Sequence, residues 1–131
     1  NNMFTIEQIK EAHSRVESGA DFPNYIQDLI NLGVLGYETF TNDGHVSYFG
    51  VNDFRVASPK SYDEITIATS ANKERFIEYL VMHQDGQTDY LTFCNHAAQC
   101  GIAKWSVNII EMTCTYFDVS DQAILIEKIP S

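Results

Sequence analysis

The stretch Tyr37-Glu38-Thr39-Phe40-Thr41-Asn42-Asp43-Gly44-His45-Val46-Ser47-Tyr48-Phe49 sets β-prone residues on either side of an Asp-Gly turn. It predicts a β-hairpin, Tyr37 to Thr41 and His45 to Phe49, around the loop Asn42-Asp43-Gly44. The same pattern returns later in the chain. Shifted by 68 positions, Ile9, Asp21, Gly33, Tyr48, Phe49, Val51 and Asp53 fall on Ile77, Asp89, Gly101, Tyr116, Phe117, Val119 and Asp121. Like-for-like pairs lie between them, among them Phe22/Tyr90, Tyr25/Phe93, Tyr37/Trp105 and Val46/Cys114. A self-match that runs without gaps predicts an internally duplicated unit, with pseudo-repeats over 5–57 and 72–129.

Working outward, Thr5 and Gln8 have the spacing of a capping box. Ile6, Ile9, Ala12, His13 and Val16 then recur at helical intervals as far as Gly19. Asp21 is placed to cap a second helix with the stripe Phe22, Tyr25, Ile26, Leu29 and Leu32. Pro23 falls in its first turn and Gly33 just past its end. Phe54 to Ala57 fits a third strand, and Ser58 to Ser70 is a connector with room for a short strand at Ile65 to Ala68. In the second half, Asn72 caps a helix with Phe76, Ile77, Leu80 and Val81 on its apolar side, ended by Asp85-Gly86. Thr88 opens another, carrying Tyr90, Phe93, Cys94, Ala97 and Cys100 up to Gly101. Strands follow at Trp105 to Ile109, Thr113 to Phe117 and Ala123 to Ile129. Each half thus reads helix, helix, strand, strand, strand. The expected fold class is α+β, an antiparallel sheet with the helices packed on one face.

The chain has 131 residues, the size of one domain spanning 1–131. Eight Lys and Arg against eighteen Asp and Glu give a net charge of −10. That balance repels phosphate backbones and anionic lipid, so no nucleic-acid and no membrane partner is expected. Cys94, Cys100 and Cys114 are odd in number and form no disulfide framework, which points to a reducing compartment. Asn1 to Ile6 lacks the basic and apolar regions of a leader, so a cytoplasmic location is expected.

Searches for chemistry return little. Cys94 and His96 are two apart on a helix and diverge, and no paired-ligand spacing exists, so no metal site is expected. Gly-x-Ser-x-Gly and phosphate-cradling glycine loops are absent, so neither a cofactor nor an enzyme is favoured. A three-residue loop would set Tyr37 opposite Phe49 and Glu38 opposite Tyr48, and in the second half Trp105 opposite Phe117 and Ser106 opposite Tyr116. Tyr37, Phe49, Trp105 and Phe117 would then lie beneath the helices. Glu38, Tyr48, Ser106, Asn108 and Tyr116 would share the other face. With His45, beside Asp43 at the turn, they are the candidate binding residues. The plain alternative is the wet face of a one-sided sheet. A register change of one residue would exchange the faces.

Thr5-Ile6-Glu7-Gln8-Ile9-Lys10-Glu11-Ala12-His13, Ser18-Gly19-Ala20-Asp21-Phe22-Pro23, Tyr37-Glu38-Thr39-Phe40 with Asp43-Gly44-His45, and Met112-Thr113-Cys114-Thr115-Tyr116 carry a resemblance over almost the whole chain. In them the protein resembles the YbcV-like family of small bacterial proteins, some of them labelled phage envelope protein. The resemblance implies a phage-derived origin and carries over no catalytic residue. The leading expectation is a non-enzymatic binding or protein-interaction module, with a protein partner or self-association through the Tyr48/Tyr116 face. The alternative is a small-molecule-binding protein or minor enzyme, with a pocket between the repeats and Glu38, His45 or Tyr48 as its polar groups.

Overall fold

A computed structural model describes residues 4–16 and 21–129. Helices α1 (Ile6–Ser14) and α2 (Phe22–Leu32) precede strands β1 (Gly36–Phe40), β2 (Val46–Phe49) and β3 (Arg55–Ala57). Helices α3 (Lys73–Gln84) and α4 (Tyr90–Gln99) precede β4 (Lys104–Asn108), β5 (Thr113–Phe117) and β6 (Ala123–Lys128). All six strands join one antiparallel sheet in the order β3-β2-β1-β4-β5-β6. The fold is therefore α+β. Displaced by 68 positions, β1 coincides with β4, and Gly33, Gly44 and Asp53 fall on Gly101, Met112 and Asp121. All six of those residues adopt positive φ.

Local chemistry sets the element ends. Thr5 and Gln8 make both bonds of the capping box. The Asn72 side chain accepts from Arg75 N at 3.1 Å. The fourth helix is capped one residue later than Thr88: Asp89 Oδ1 accepts from Thr92 N at 2.8 Å. Its counterpart Asp21 holds the N-cap position of α2 without a side-chain capping bond. Gly19 lies outside the described residues. The connector contains no strand at Ile65–Ala68 and instead pins the first hairpin: Ser61 N and Tyr62 N donate to Asp43 O, and Ile65 N donates to Asn42 O.

That pinning accompanies a correction to the register. Phe40 N donates to His45 O, and Thr39 pairs with Val46, so the hairpin loop holds four residues, Thr41 to Gly44, rather than three. Gly44 closes it at φ 75°, with the Tyr62 ring packed where a side chain would stand. The second hairpin repeats this length over Ile109 to Met112, with Met112 at φ 54° in place of the glycine. One extra residue turns β2 and β5 over. Tyr37 pairs with Tyr48, not Phe49, and Trp105 pairs with Tyr116, not Phe117. Strand alternation then puts Tyr37, Tyr48, Trp105 and Tyr116 under the helices, and Glu38, Phe49, Ser106, Asn108 and Phe117 on the open face.

The core lies between the helices and this inner face. Phe76 of α3 is fully enclosed, edge-on to Tyr116 with centroids 4.9 Å apart and tilted against Phe93 at 6.0 Å. Only half of the apolar side expected for α3 is core: Phe76 and Leu80 are buried, while Ile77 and Val81 are exposed. Removing the Phe76 ring should therefore cost about 4 kcal/mol, the range for a large buried aromatic. Val81→Ala, at an exposed position, should change stability by less than about 0.5 kcal/mol. Urea unfolding of the two variants checks the contrast, and similar losses for both would contradict this packing.

Candidate functional site

Two helix pairs cover the sheet. Helix α1 packs on α2, and α3 on α4, each pair lying with its own half of the chain. Between them opens a cavity of about 1060 Å³. Its floor is Tyr37 of β1, Trp105 and Val107 of β4, Cys114 and Tyr116 of β5 and Glu127 of β6. Its walls are the first turn of α2 (Phe22, Pro23), the end of α3 (Leu80, His83, Gln84) and the start of α4 (Tyr90, Phe93), with Gly86 and Thr88 between the last two.

The floor follows from alternation. On β6, Leu125 and Glu127 pair with Tyr116 and Cys114, so they share the inner face and bring a carboxylate under the helices. The Tyr116 hydroxyl donates to Glu127 Oε1 at 3.1 Å, and Gln84 Nε2 approaches the same carboxylate at 3.4 Å. At the wall, the His83 ring stacks on Phe93 with centroids 4.5 Å apart. Its Nδ1 lies 3.1 Å from Thr88 O. Thr88 Oγ1 stands at the same 3.1 Å, so Nδ1 can donate to the carbonyl or accept from the hydroxyl. The Trp105 ring sits 5.6 Å from that of Phe93 and 6.1 Å from that of Tyr116. These walls suit an apolar or aromatic body, with a carboxylate, a histidine and several tyrosine hydroxyls as their polar groups.

The residues expected as a site are divided. Glu38 and Ser106 meet as a cross-strand pair on the open face, where Lys104 Nζ lies 3.5 Å from Glu38 and 3.3 Å from Asp121. Asn108 is on that face as well, and its Oδ1 accepts from Glu111 N at 3.0 Å, which braces a turn. His45 is at the hairpin end, stacked on Phe40 and 2.6 Å from Asp43. Its backbone N–H leads the interactions that hold the Asp43 carboxyl below the usual range. Tyr48 and Tyr116 do not share the open face; both are buried beneath the helices, because the longer loop turned their strands over. Tyr116 still reaches the cavity, from the inner side. Sequence reasoning missed Glu127, whose signal was a lone carboxylate in phase with Leu125 on an apolar strand. Among the described residues, no three of His, Cys, Asp or Glu converge as metal ligands. None of the described helices is long and apolar enough to cross a membrane.

The inner face is rich in protonated hydroxyls and thiols. Burial raises Tyr116, helped by Cys114 and Glu127 beside it, and raises Tyr37, helped by Cys114 and Tyr48. Burial also raises Tyr25, Tyr48 and Tyr62. The Cys94 and Cys100 thiols go up as well, and Cys114 is pushed up to about 12. An acid held neutral by the fold gives up its proton first in the unfolded chain. The stability these groups contribute is full below the unfolded thiol pKa and falls as pH rises through the unfolded thiol and phenol values, about 8.5 and 10. The urea midpoint should therefore decline steadily above about pH 8.5, with most of the tyrosinate absorbance appearing together with loss of secondary structure. Ionisation of most of the seven tyrosines ahead of unfolding would refute this account of the interior.

No curated protein matches the chain. Over residues 10–128 it matches the family described as "Protein of unknown function (DUF1398)", and the chain belongs to that family.

Proposed function

We propose that this is a small-molecule-binding protein whose ligand occupies the cavity between the helix layer and the sheet. The observation that carries this reading is the cavity itself. A volume of about 1060 Å³ is at the upper end for small-molecule sites, and it is walled by aromatic rings with a few placed polar groups. The interaction-module reading loses its anchors, since Tyr48 and Tyr116 are both in the core.

Descent belongs to the same proposal. Two copies of an αα-βββ unit account for the shared element order and for the three positive-φ pairs. They account also for the central register, in which Glu38 pairs with Ser106, its own counterpart at the 68-residue offset. The likeness to the YbcV-like proteins, and a phage-derived origin with it, is kept as part of this account of descent. Ligand binding does not depend on it.

Trp105 is the only tryptophan and lines the cavity, so its fluorescence reports occupancy directly. A neutral apolar dye such as N-phenyl-1-naphthylamine should bind saturably, accept energy from Trp105 and brighten. Cys114→Phe, which adds a ring to the floor, should weaken binding by about tenfold, as a loss of about 1.4 kcal/mol implies. Dye uptake that never saturates, or that a folded Cys114→Phe variant leaves unchanged, would remove the cavity as the site. Native mass spectrometry on protein purified gently from its own host would weigh any resident ligand.

A further inference from the structure

We infer that the ligand of this cavity is an organic cation, an alkyl- or arylammonium with apolar substituents, seated with its charge between Glu127 and the surrounding aromatic faces. This rests on the cavity being a binding site, and it names the chemistry the site selects. Six aromatic residues line it: Phe22, Tyr37, Tyr90, Phe93, Trp105 and Tyr116. Aromatic faces carry negative quadrupole density and attract cations, most strongly when water is excluded, with Trp the best of them.

Glu127 supplies the countercharge. A carboxylate has about four acceptor positions. Here the Tyr116 hydroxyl fills one at 3.1 Å, and Gln84 Nε2 approaches at 3.4 and 3.5 Å. Both are neutral donors. Among the described residues no Lys or Arg forms an ion pair with Glu127; the lysine and arginine bridges run instead to Asp28, Asp63, Glu38 and Asp121. Lys128 also borders the cavity, but it follows Glu127 in β6 and pairs with Thr113, so alternation directs its side chain to the open face. Glu127 is half-buried and lines the cavity, so a cation seated beside it gains a charge partner that the fold does not already supply. An anionic ligand would meet Glu127 with like charge, and a neutral one would leave it unpaired.

Three probes of similar size test this through Trp105 emission: benzyltrimethylammonium, its uncharged tert-butyl isostere, and phenylacetate. The cation should half-saturate the signal at a concentration at least about tenfold lower than either of the others, the scale of a desolvated cation–π and charge contact. Glu127→Gln keeps the acceptor for Tyr116 and removes the charge. In it the preference should shrink to less than about twofold, through weaker binding of the cation. Equal binding of cation and isostere to the unaltered protein overturns the proposal without any variant having to fold. A preference that survives Glu127→Gln in a variant with an unchanged urea midpoint overturns it as well. Silence of Trp105 toward all three probes, together with failure of the neutral dye, would instead remove the cavity reading on which it rests.

Discussion

The pairing of β1 with β4 is the constraint on which the rest of the structure depends. Five residues of each strand run antiparallel, from Gly36 opposite Asn108 to Phe40 opposite Lys104, and this ladder alone makes one sheet of two three-stranded halves. Its register is close enough to require a residue without a side chain at one end. A Cβ at Gly36 would stand 2.7 Å from Val107 O, inside contact distance of a backbone atom that the ladder holds in place. Because each half carries its own helix pair, joining the halves edge to edge leaves two helical blocks side by side over a continuous floor. The seam between them is the cavity, and the central strands supply its floor through Tyr37, Trp105 and Val107.

The two halves share a plan but not their chemistry. On the open face, Phe49 lies between Gly36 of β1 and Arg55 of β3, with the guanidinium 4.4 Å from the ring centre. Phe117 lies between Lys104 of β4, its ammonium 5.2 Å away, and Ala123 of β6. Each phenylalanine thus has one small neighbour and one cation, on opposite sides, and the hydrocarbon of both strands is covered. The inner face diverges further. Val46 in the first half corresponds to Cys114 in the second, and β6 runs three residues longer than β3. Opposite Val46 the chain has already left the sheet at Ser58, whose hydroxyl accepts from Val46 N at 2.9 Å. Opposite Cys114 it is still strand, and presents Glu127. The polar equipment of the cavity therefore comes from the longer edge strand of the second half.

Much of the fold was legible because its signals are local. The capping box at Thr5, the proline of α2, the glycine at its end and the Asn72 cap act within one helical turn, and each stands where the residue types placed it. The strand faces were half legible. Alternation gave β1 and β4 correctly, since both lie in the middle of the sheet, but the faces of β2 and β5 depend on loop length. Asn42-Asp43-Gly44 suits a three-residue loop as well as a four-residue one. What decides is a distant contact, Tyr62 packed on Gly44 and the connector bonded to Asn42 and Asp43. No window around the turn contains that information. The cavity was less legible still. It needs the first turn of α2, the last turn of α3 and the floor strands to meet around a gap, and their separation in sequence says nothing about the gap.

The cavity's persistence is itself an argument about selection. Apolar walls facing water carry a standing cost of about 25 cal/mol per Å². Positions along the floor and mouth offer simple ways to remove it: Cys114 and Thr88 are both smaller than the leucine or phenylalanine that would fill the space. The adjoining helix α3 instead leaves Val81 exposed, and α4 leaves Leu91 exposed, so filling side chains are present on the neighbouring elements but turned to solvent. Glu127 sharpens the point. An inward carboxylate on a strand otherwise reading Ala-Ile-Leu-Ile weakens the core, where leucine in its place would extend the Tyr116 and Leu125 contacts. A fold optimised for stability alone would close the seam with apolar volume. A fold that keeps it open, ringed by aromatics and supplied with one charge, has the form that the proposed ligand would require.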